Sequence, residues 1–316
     1  MLRQARRHLF SWTRPWLIYA VCGLTVLAAV AGAAGAVETV GRGSAPGIPA
    51  AGRMYDVGGH RLYLECTGTG SPTVVLTSGF GEHTPRWAWM TPVVARDTRV
   101  CTYDRAGQRR SDPAAHSRDG IQIADDLHTL LATAGEPGPY ALVGHSSGGT
   151  YDLVFTTRYP DDVAGMVLPD SSSPDQLSLP DYPGQYDTWR HASALFPSLA
   201  RLGLGRLAFG TGFTGLPSAA RDQEQAFAAS ARDLRGQRDE WSQLPTAFRQ
   251  AQAMTNLGAK PLLVITAGQG HDQTWFAAQD ELAALSDNSE HRTLDDATHG
   301  GMLEDRDLAA LRPGRP

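Results

Sequence analysis

Short apolar runs recur along the chain at strand length: PTVVLTSG (Pro72–Gly79), YALVGHS (Tyr140–Ser146), VAGMVLPD (Val163–Asp170) and PLLVITAG (Pro261–Gly268). Runs of this kind, apolar throughout rather than alternating, are what strands buried on both faces look like. RVCTYD (Arg99–Asp104) and HRTLDD (His291–Asp296) read as further strands, and MYDV and HRLYLEC flank Gly58-Gly59, a two-residue hairpin signal. Helical spacing fills the intervals at Ile121–Ala134, at Thr150–Arg158, which ends before Pro160, and at Thr274–Leu285. Strand alternating with helix predicts an α/β fold: a mostly parallel, twisted sheet with helices on both faces.

From Ser171 to about Gly258 the alternation stops and no good strand follows. Helix-like stretches at Gln225–Leu234 and Glu240–Met254, the second interrupted at Pro245, stand beside apolar patches at Ala194–Leu202 and Leu207–Phe213. We read residues 171–258 as a helical cap inserted over the C-terminal edge of the sheet, the edge at which open parallel sheets bind ligands. The domain proper then runs over 54–316.

The chain has 316 residues, of which 41% are hydrophobic, with 34 glycines and 20 prolines. Its N-terminal part reads separately. Arg3, Arg6, Arg7 and Arg14 precede an uncharged, largely apolar stretch from Trp16 to Val37. Residues 1–37 therefore read as a signal peptide or an N-terminal membrane anchor, and 38–53 as a linker. Either reading puts the domain outside the cytoplasm, secreted or attached to the cytoplasmic membrane. Removing those four arginines from the formal net charge of −5 leaves −9 on the remainder, which argues against nucleic acid as a partner. Cys66 and Cys101 each lie in a predicted strand; an oxidising compartment permits a disulfide between them, and two separately buried thiols are the other reading. No CxxC and no metal-like Cys/His cluster is present, so no cofactor or metal is implied.

The chemistry concentrates in YALVGHSSGGTYD. Ser146 is hemmed by Gly144, Gly148 and Gly149, and Gly144–Gly148 fits G-x-S-x-G after a buried strand and before a helix. A turn that tight needs small neighbours and projects one hydroxyl above the sheet. A serine hydroxyl is a poor nucleophile without a base. His299, on the loop after the last predicted strand, is the best placed of ten histidines. His145 would point elsewhere, and His271 and His291 read as surface residues. An oxyanion needs two donors. The N–H of Ser147 is one, and the N–H of Phe80, in the glycine-flanked Ser78-Gly79-Phe80-Gly81 loop, is the other. Two aspartates compete to orient the imidazole. Asp272 follows PLLVITAG, and Asp170 ends the strand next to the serine's own, where it too could reach His299.

With the order Ser146, Asp, His299, the elbow and the SGFG loop, the chain from about Met54 to Asp307 resembles the α/β-hydrolase superfamily. The stretches TRVCTYDRAGQRRSDP, YPDDVAGMVLPDSSSPDQ and WFAAQDELAALSDNSEH are similar to a branch of secreted or membrane-anchored bacterial hydrolases. In that branch the aspartate ending the VL-x-D strand is often the only acid at hand, which favours Asp170. The resemblance implies a serine hydrolase of esterase or lipase type acting on a small ester-like substrate. Haloalkane dehalogenation and epoxide opening on this fold resemble it less, because both use aspartate where Ser146 stands. A non-catalytic binder on the same scaffold and an aminopeptidase-type hydrolase are the competing readings. Two departures stand out: Ser78-Gly79 replaces the family's usual His-Gly, and Arg109 stands where YDRAGxGxS has glycine, which predicts an altered or more cationic rim.

Overall fold

The computed structural model describes residues 51–309 except 117, 181, 203 and 206–211. The predicted segment 1–37 and nearly all of the linker lie outside these residues. Among the described residues no helix is long and apolar enough to cross a membrane.

Eight strands form one sheet: β1 (Arg53–Asp56), β2 (Arg61–Thr67), β3 (Thr73–Thr77), β4 (Val100–Asp104), β5 (Tyr140–Gly144), β6 (Val163–Pro169), β7 (Leu262–Gln269) and β8 (Ser289–Thr298). Their order is β1-β2-β4-β3-β5-β6-β7-β8. Only the β1–β2 hairpin and the β2–β4 pair are antiparallel; from β4 to β8 every neighbour is parallel. The apolar runs occupy the middle of the sheet, where Val75, Leu142, Leu168 and Val264 are fully buried. Cys66 and Cys101 face each other across β2 and β4 and are joined as a disulfide, so the bonded alternative holds.

Three helices follow the sequence pattern: α1 (Gly120–Ala134), α2 (Ser147–Arg158) and, after β7, Gln273–Ala283. Asp119 starts α1 by accepting from Gln122 N, and Gly135 ends it in the left-handed region at φ 74. Every residue of α2 from Ser147 to Thr156 is buried. Its face away from the sheet is covered by helices inserted between β6 and β7, and Tyr151 packs with Leu244, Ala247 and Phe248 of that insertion. That explains why α2 is buried on the side away from the sheet as well.

The inserted helices are α3 (Tyr182–Ser193), α4 (Phe196–Arg201), α5 (Ser218–Ala228) and α6 (Ala231–Ala251); Gln273–Ala283 is then α7. Two expectations differ here. The Gln225–Leu234 stretch is broken between α5 and α6, because Ser230 turns and caps α6 by accepting from Asp233 N. Pro245 does not interrupt α6. A proline removes one donor and leaves the carbonyl four residues back without its partner, and the Trp241 carbonyl instead accepts from the Tyr186 hydroxyl at 3.2 Å.

The insertion is fastened by buried charge. His83 Nδ1 lies 2.7 Å from Glu224 Oε2 and its Nε2 lies 2.8 Å from Asp233 Oδ2, all three side chains almost fully buried. Burial works against the imidazolium, but the two carboxylates outweigh it and raise His83 well above its ordinary value.

Candidate active site

β5 ends at Gly144 and α2 begins at Ser147, so His145 and Ser146 make the whole turn. Ser146 sits at φ 54, ψ −129, a conformation side chains rarely adopt. The neighbouring glycines are sterically required. A Cβ on Gly148 would lie 2.2 Å from the Thr77 carbonyl oxygen, and one on Gly144 would lie 2.5 Å from Gly149 N. Ser146 occupies a helix N-cap yet makes no capping hydrogen bond through its side chain, which leaves Oγ free of that duty. Ser147 opens the helix, where first-turn N–H groups have no intrahelical acceptor and the dipole favours negative charge.

Asp170 follows β6 immediately and is completely buried, at φ 44. Its neighbours brace the elbow: Ser171 Oγ donates to Gly144 O at 2.5 Å and Ser172 N donates to Ser146 O at 2.9 Å. Four donors converge on its carboxylate. Ala267 N and Trp275 Nε1 reach Oδ1 at 3.1 and 3.0 Å, while His299 Nδ1 and His271 Nε2 reach Oδ2 at 2.5 and 2.8 Å. Burial works against the ionised acid, but the hydrogen bonds from His271 and His299 and their charge hold Asp170 well below the usual carboxylate range.

His299 follows β8, and its backbone is fixed by the elbow's own histidine: His145 Nε2 lies 3.0 Å from His299 O, with ring centroids 4.6 Å apart. Partial burial pulls the His299 imidazole down, whereas the hydrogen bond and charge of Asp170 raise it; the net shift is upward. His145 Nδ1 lies 2.9 Å from Glu82 Oε2, and the same oxygen accepts from Gly79 N at 2.7 Å. One carboxylate thus ties the Ser78–Gly81 loop to the elbow.

Asp272, the other acid candidate, stands elsewhere. It is the N-cap of α7, accepting from Thr274 N and Trp275 N, and is exposed. The sheet explains the difference. β6 lies between β5 and β7, so its end falls beside the elbow, whereas the loop after β7 carries its aspartate onward to start a helix. Phe80 lies in the loop beside the elbow, its ring edge-on to Trp241 of α6 at 4.6 Å.

Two sequence readings are overturned. His271 is no surface residue: its side chain is 15% exposed, bonded to Asp170 and stacked on Trp275 at 4.4 Å. Its position two residues beyond β7, on the loop already singled out for Asp272, was the available signal. Arg109 itself adds no charge to the rim. Arg109 keeps the left-handed backbone of the glycine it replaces, at φ 42, but its guanidinium turns inward to Asp104, Thr84 and Gln223 between the Tyr63 and Phe227 rings.

Asp170, His271 and His299 offer three ligand atoms of the type a divalent transition metal accepts. Ligands of one tetrahedral zinc stand about 3.3 Å apart, from Zn–N bonds of about 2.0–2.1 Å. The separations of 2.5 and 2.8 Å on Asp170 Oδ2 are those of hydrogen bonds, so the cluster is bridged by protons.

A cavity of about 280 Å³ opens beside Phe80 and Gly81, under Trp189, Phe196, Leu234 and Trp241. That is close to the lower end of small-molecule sites, about 300–1,000 Å³.

Residues 72–306 match the family described as the alpha/beta hydrolase fold. An uncharacterized protein of Schizosaccharomyces pombe is 29% identical over 294 residues, covering 82% of this chain and 54% of that protein, so the chain spans about half of that relative's length. Among solved structures, the Cif epoxide hydrolase from Acinetobacter nosocomialis superposes with a TM-score of 0.68 at 15% identity, covering 87% of this chain and 92% of that one. A bromoperoxidase from Bacillus anthracis gives 0.64 at 22% identity, covering 82% and 96%. At such identities the structural likeness is one of fold.

Proposed function

The chain belongs to the α/β-hydrolase family, and on that premise we propose that it is a hydrolase that cleaves carboxylic esters through an acyl-serine. The observation that carries this reading is the Asp170–His299 hydrogen bond, together with a serine held at φ 54 in the turn before α2. Asp170 accepts from Nδ1, which leaves Nε2 as the basic nitrogen. His299 takes the Ser146 proton as Oγ attacks the ester carbonyl, and the N–H groups of Ser147 and Phe80 receive the oxyanion. His299 then gives the proton to the leaving alcohol, and water repeats the sequence to release the acid. Serine in the elbow favours acyl transfer over epoxide opening, which by the covalent route needs a carboxylate nucleophile there.

The cavity under the cap suits an apolar acyl chain of modest size. Hydrolysis of p-nitrophenyl esters is expected to rise from acetate to a medium chain and fall again for palmitate. Leu234→Trp, which fills the cavity, should move the optimum to a shorter chain. Absence of turnover with every ester, together with no labelling by a fluorophosphonate, would instead favour a binding protein.

The pH profile follows from His299. Only the neutral imidazole accepts a proton, so kcat/KM falls as pH drops through its pKa. That pKa is raised above the ordinary 6.5, so the acid limb should be centred above that value. A limb centred well below it would argue against His299 as the base.

The apolar segment at 16–37 supports a secreted or membrane-anchored enzyme, as does the Cys66–Cys101 bond, since disulfides persist in oxidising compartments. The cap at 171–258 is proposed as the part that selects the substrate.

A further inference from the structure

The Arg105 side chain is 2% exposed and divides its donors among three partners. Nη1 and Nη2 donate to the Ser78 and Gly79 carbonyls at 2.5 and 2.9 Å, and Nε and Nη2 donate to Glu240 of α6 at 3.0 and 2.7 Å. Glu240, itself fully buried, also accepts from Gln108, Arg118 and Tyr151.

A trans peptide is planar, and its N–H points opposite to its C=O. Fixing the Ser78 carbonyl on Arg105 therefore aims Gly79 N–H the other way, and that group reaches Glu82. Glu82 is held by His145 of the elbow, and a Cβ on Gly79 would lie 2.8 Å from both Glu82 Oε2 and Ser146 Cβ. The side of the loop facing away from Arg105 is thus the elbow side. The next peptide obeys the same rule: with Gly79 O on Arg105, Phe80 N–H points toward the elbow.

We infer that Arg105 is a positioning residue which aims the Phe80 oxyanion donor, and that its ion pair with Glu240 makes this aim depend on the seating of the cap helix α6. The inference rests on the acyl-serine reading. Trp241, the residue after Glu240, packs on the Phe80 ring, so α6 holds the donor residue by side chain as well as by backbone. A cap displaced from the sheet releases Arg105 and with it the Ser78 carbonyl, and leaves Gly79 O only the longer 3.3 Å bond from Glu82 N. Full catalytic power then exists only with the cap in place.

The test compares Arg105→Lys with the double variant Arg105→Met/Glu240→Gln, which removes the two charges of the pair together and keeps an amide oxygen to accept from Arg118 and Tyr151. A misaimed oxyanion donor costs about 10²-fold. Both variants are expected to lose about that much kcat with KM within about threefold. The Ki of a trifluoromethyl ketone, whose adduct with Ser146 carries the oxyanion, should rise in proportion to the loss in kcat/KM. Melting temperature and circular dichroism report folding separately. An unchanged kcat in a folded variant overturns the inference, and so does a fall in kcat with no change in that Ki. Ser146→Ala run alongside distinguishes the two levels: turnover that survives it sinks the acyl-serine reading itself.

Discussion

Ser146→Ala is expected to reduce ester hydrolysis by roughly 10⁴–10⁶-fold, leaving only what binding and the oxyanion donors supply. The change removes one oxygen from a side chain that caps nothing, so the fold should persist. A companion variant separates chemistry from strain. Ser146 holds a positive φ that costs any side chain of the order of 1–3 kcal/mol, and glycine adopts it freely. Ser146→Gly should therefore be as inactive as Ser146→Ala but melt at a higher temperature. Stopped assays on p-nitrophenyl esters and calorimetry check both statements. Appreciable turnover by either variant would remove Ser146 from the chemistry.

Asp170→Asn carries the second large effect, about 10⁴-fold in kcat. Asparagine preserves the shape of the side chain but makes one of its two acceptors a donor. If its amide faces His299, Nδ1 must accept, the ring proton moves to Nε2, and the nitrogen that should take the serine proton is no longer free. If the amide is turned the other way, it confronts Ala267 N and Trp275 Nε1, two donors whose acceptor would be lost. Either orientation spoils the site. Asp272→Asn should leave kcat within about twofold and barely touch stability, because asparagine caps helices as well as aspartate does; Asp272→Ala should cost about 1 kcal/mol and no activity. Urea unfolding with steady-state kinetics on the three variants decides between the two acids. Equal losses at 170 and 272 would contradict the geometry described above.

The sheet was legible because its apolar runs are strand-length, rich in β-branched residues and bounded by glycine and proline, and even β8, largely polar and at the sheet's edge, was bounded well enough to place His299. The elbow was legible because Gly144 and Gly148 exist for a local steric reason. Asp170 and Asp272 stayed undecided since the choice depends on which strand ends lie side by side, and spacing along the chain does not carry that. His271 was missed for a related reason: an imidazole's partner is set by how its loop folds back. Arg109 was misjudged because a charge at a presumed rim looks exposed until its partners are known, and Gln223 comes from a cap helix more than a hundred residues away. Pro245 likewise looked like a break until Tyr186, from another helix, supplied the missing donor.

The order in which the strands are completed also sets when the chemistry can begin. β8 pairs only with β7, and His299 comes just after it. While the chain is being made, β5 and β6 can already hold Ser146 and Asp170, yet His299 is still missing. On the acyl-serine reading, a nascent chain is expected to stay hydrolytically silent until β8 docks on β7 and brings His299 in. On the same reading, a product truncated before β8 would keep Ser146 without its base and cleave no ester.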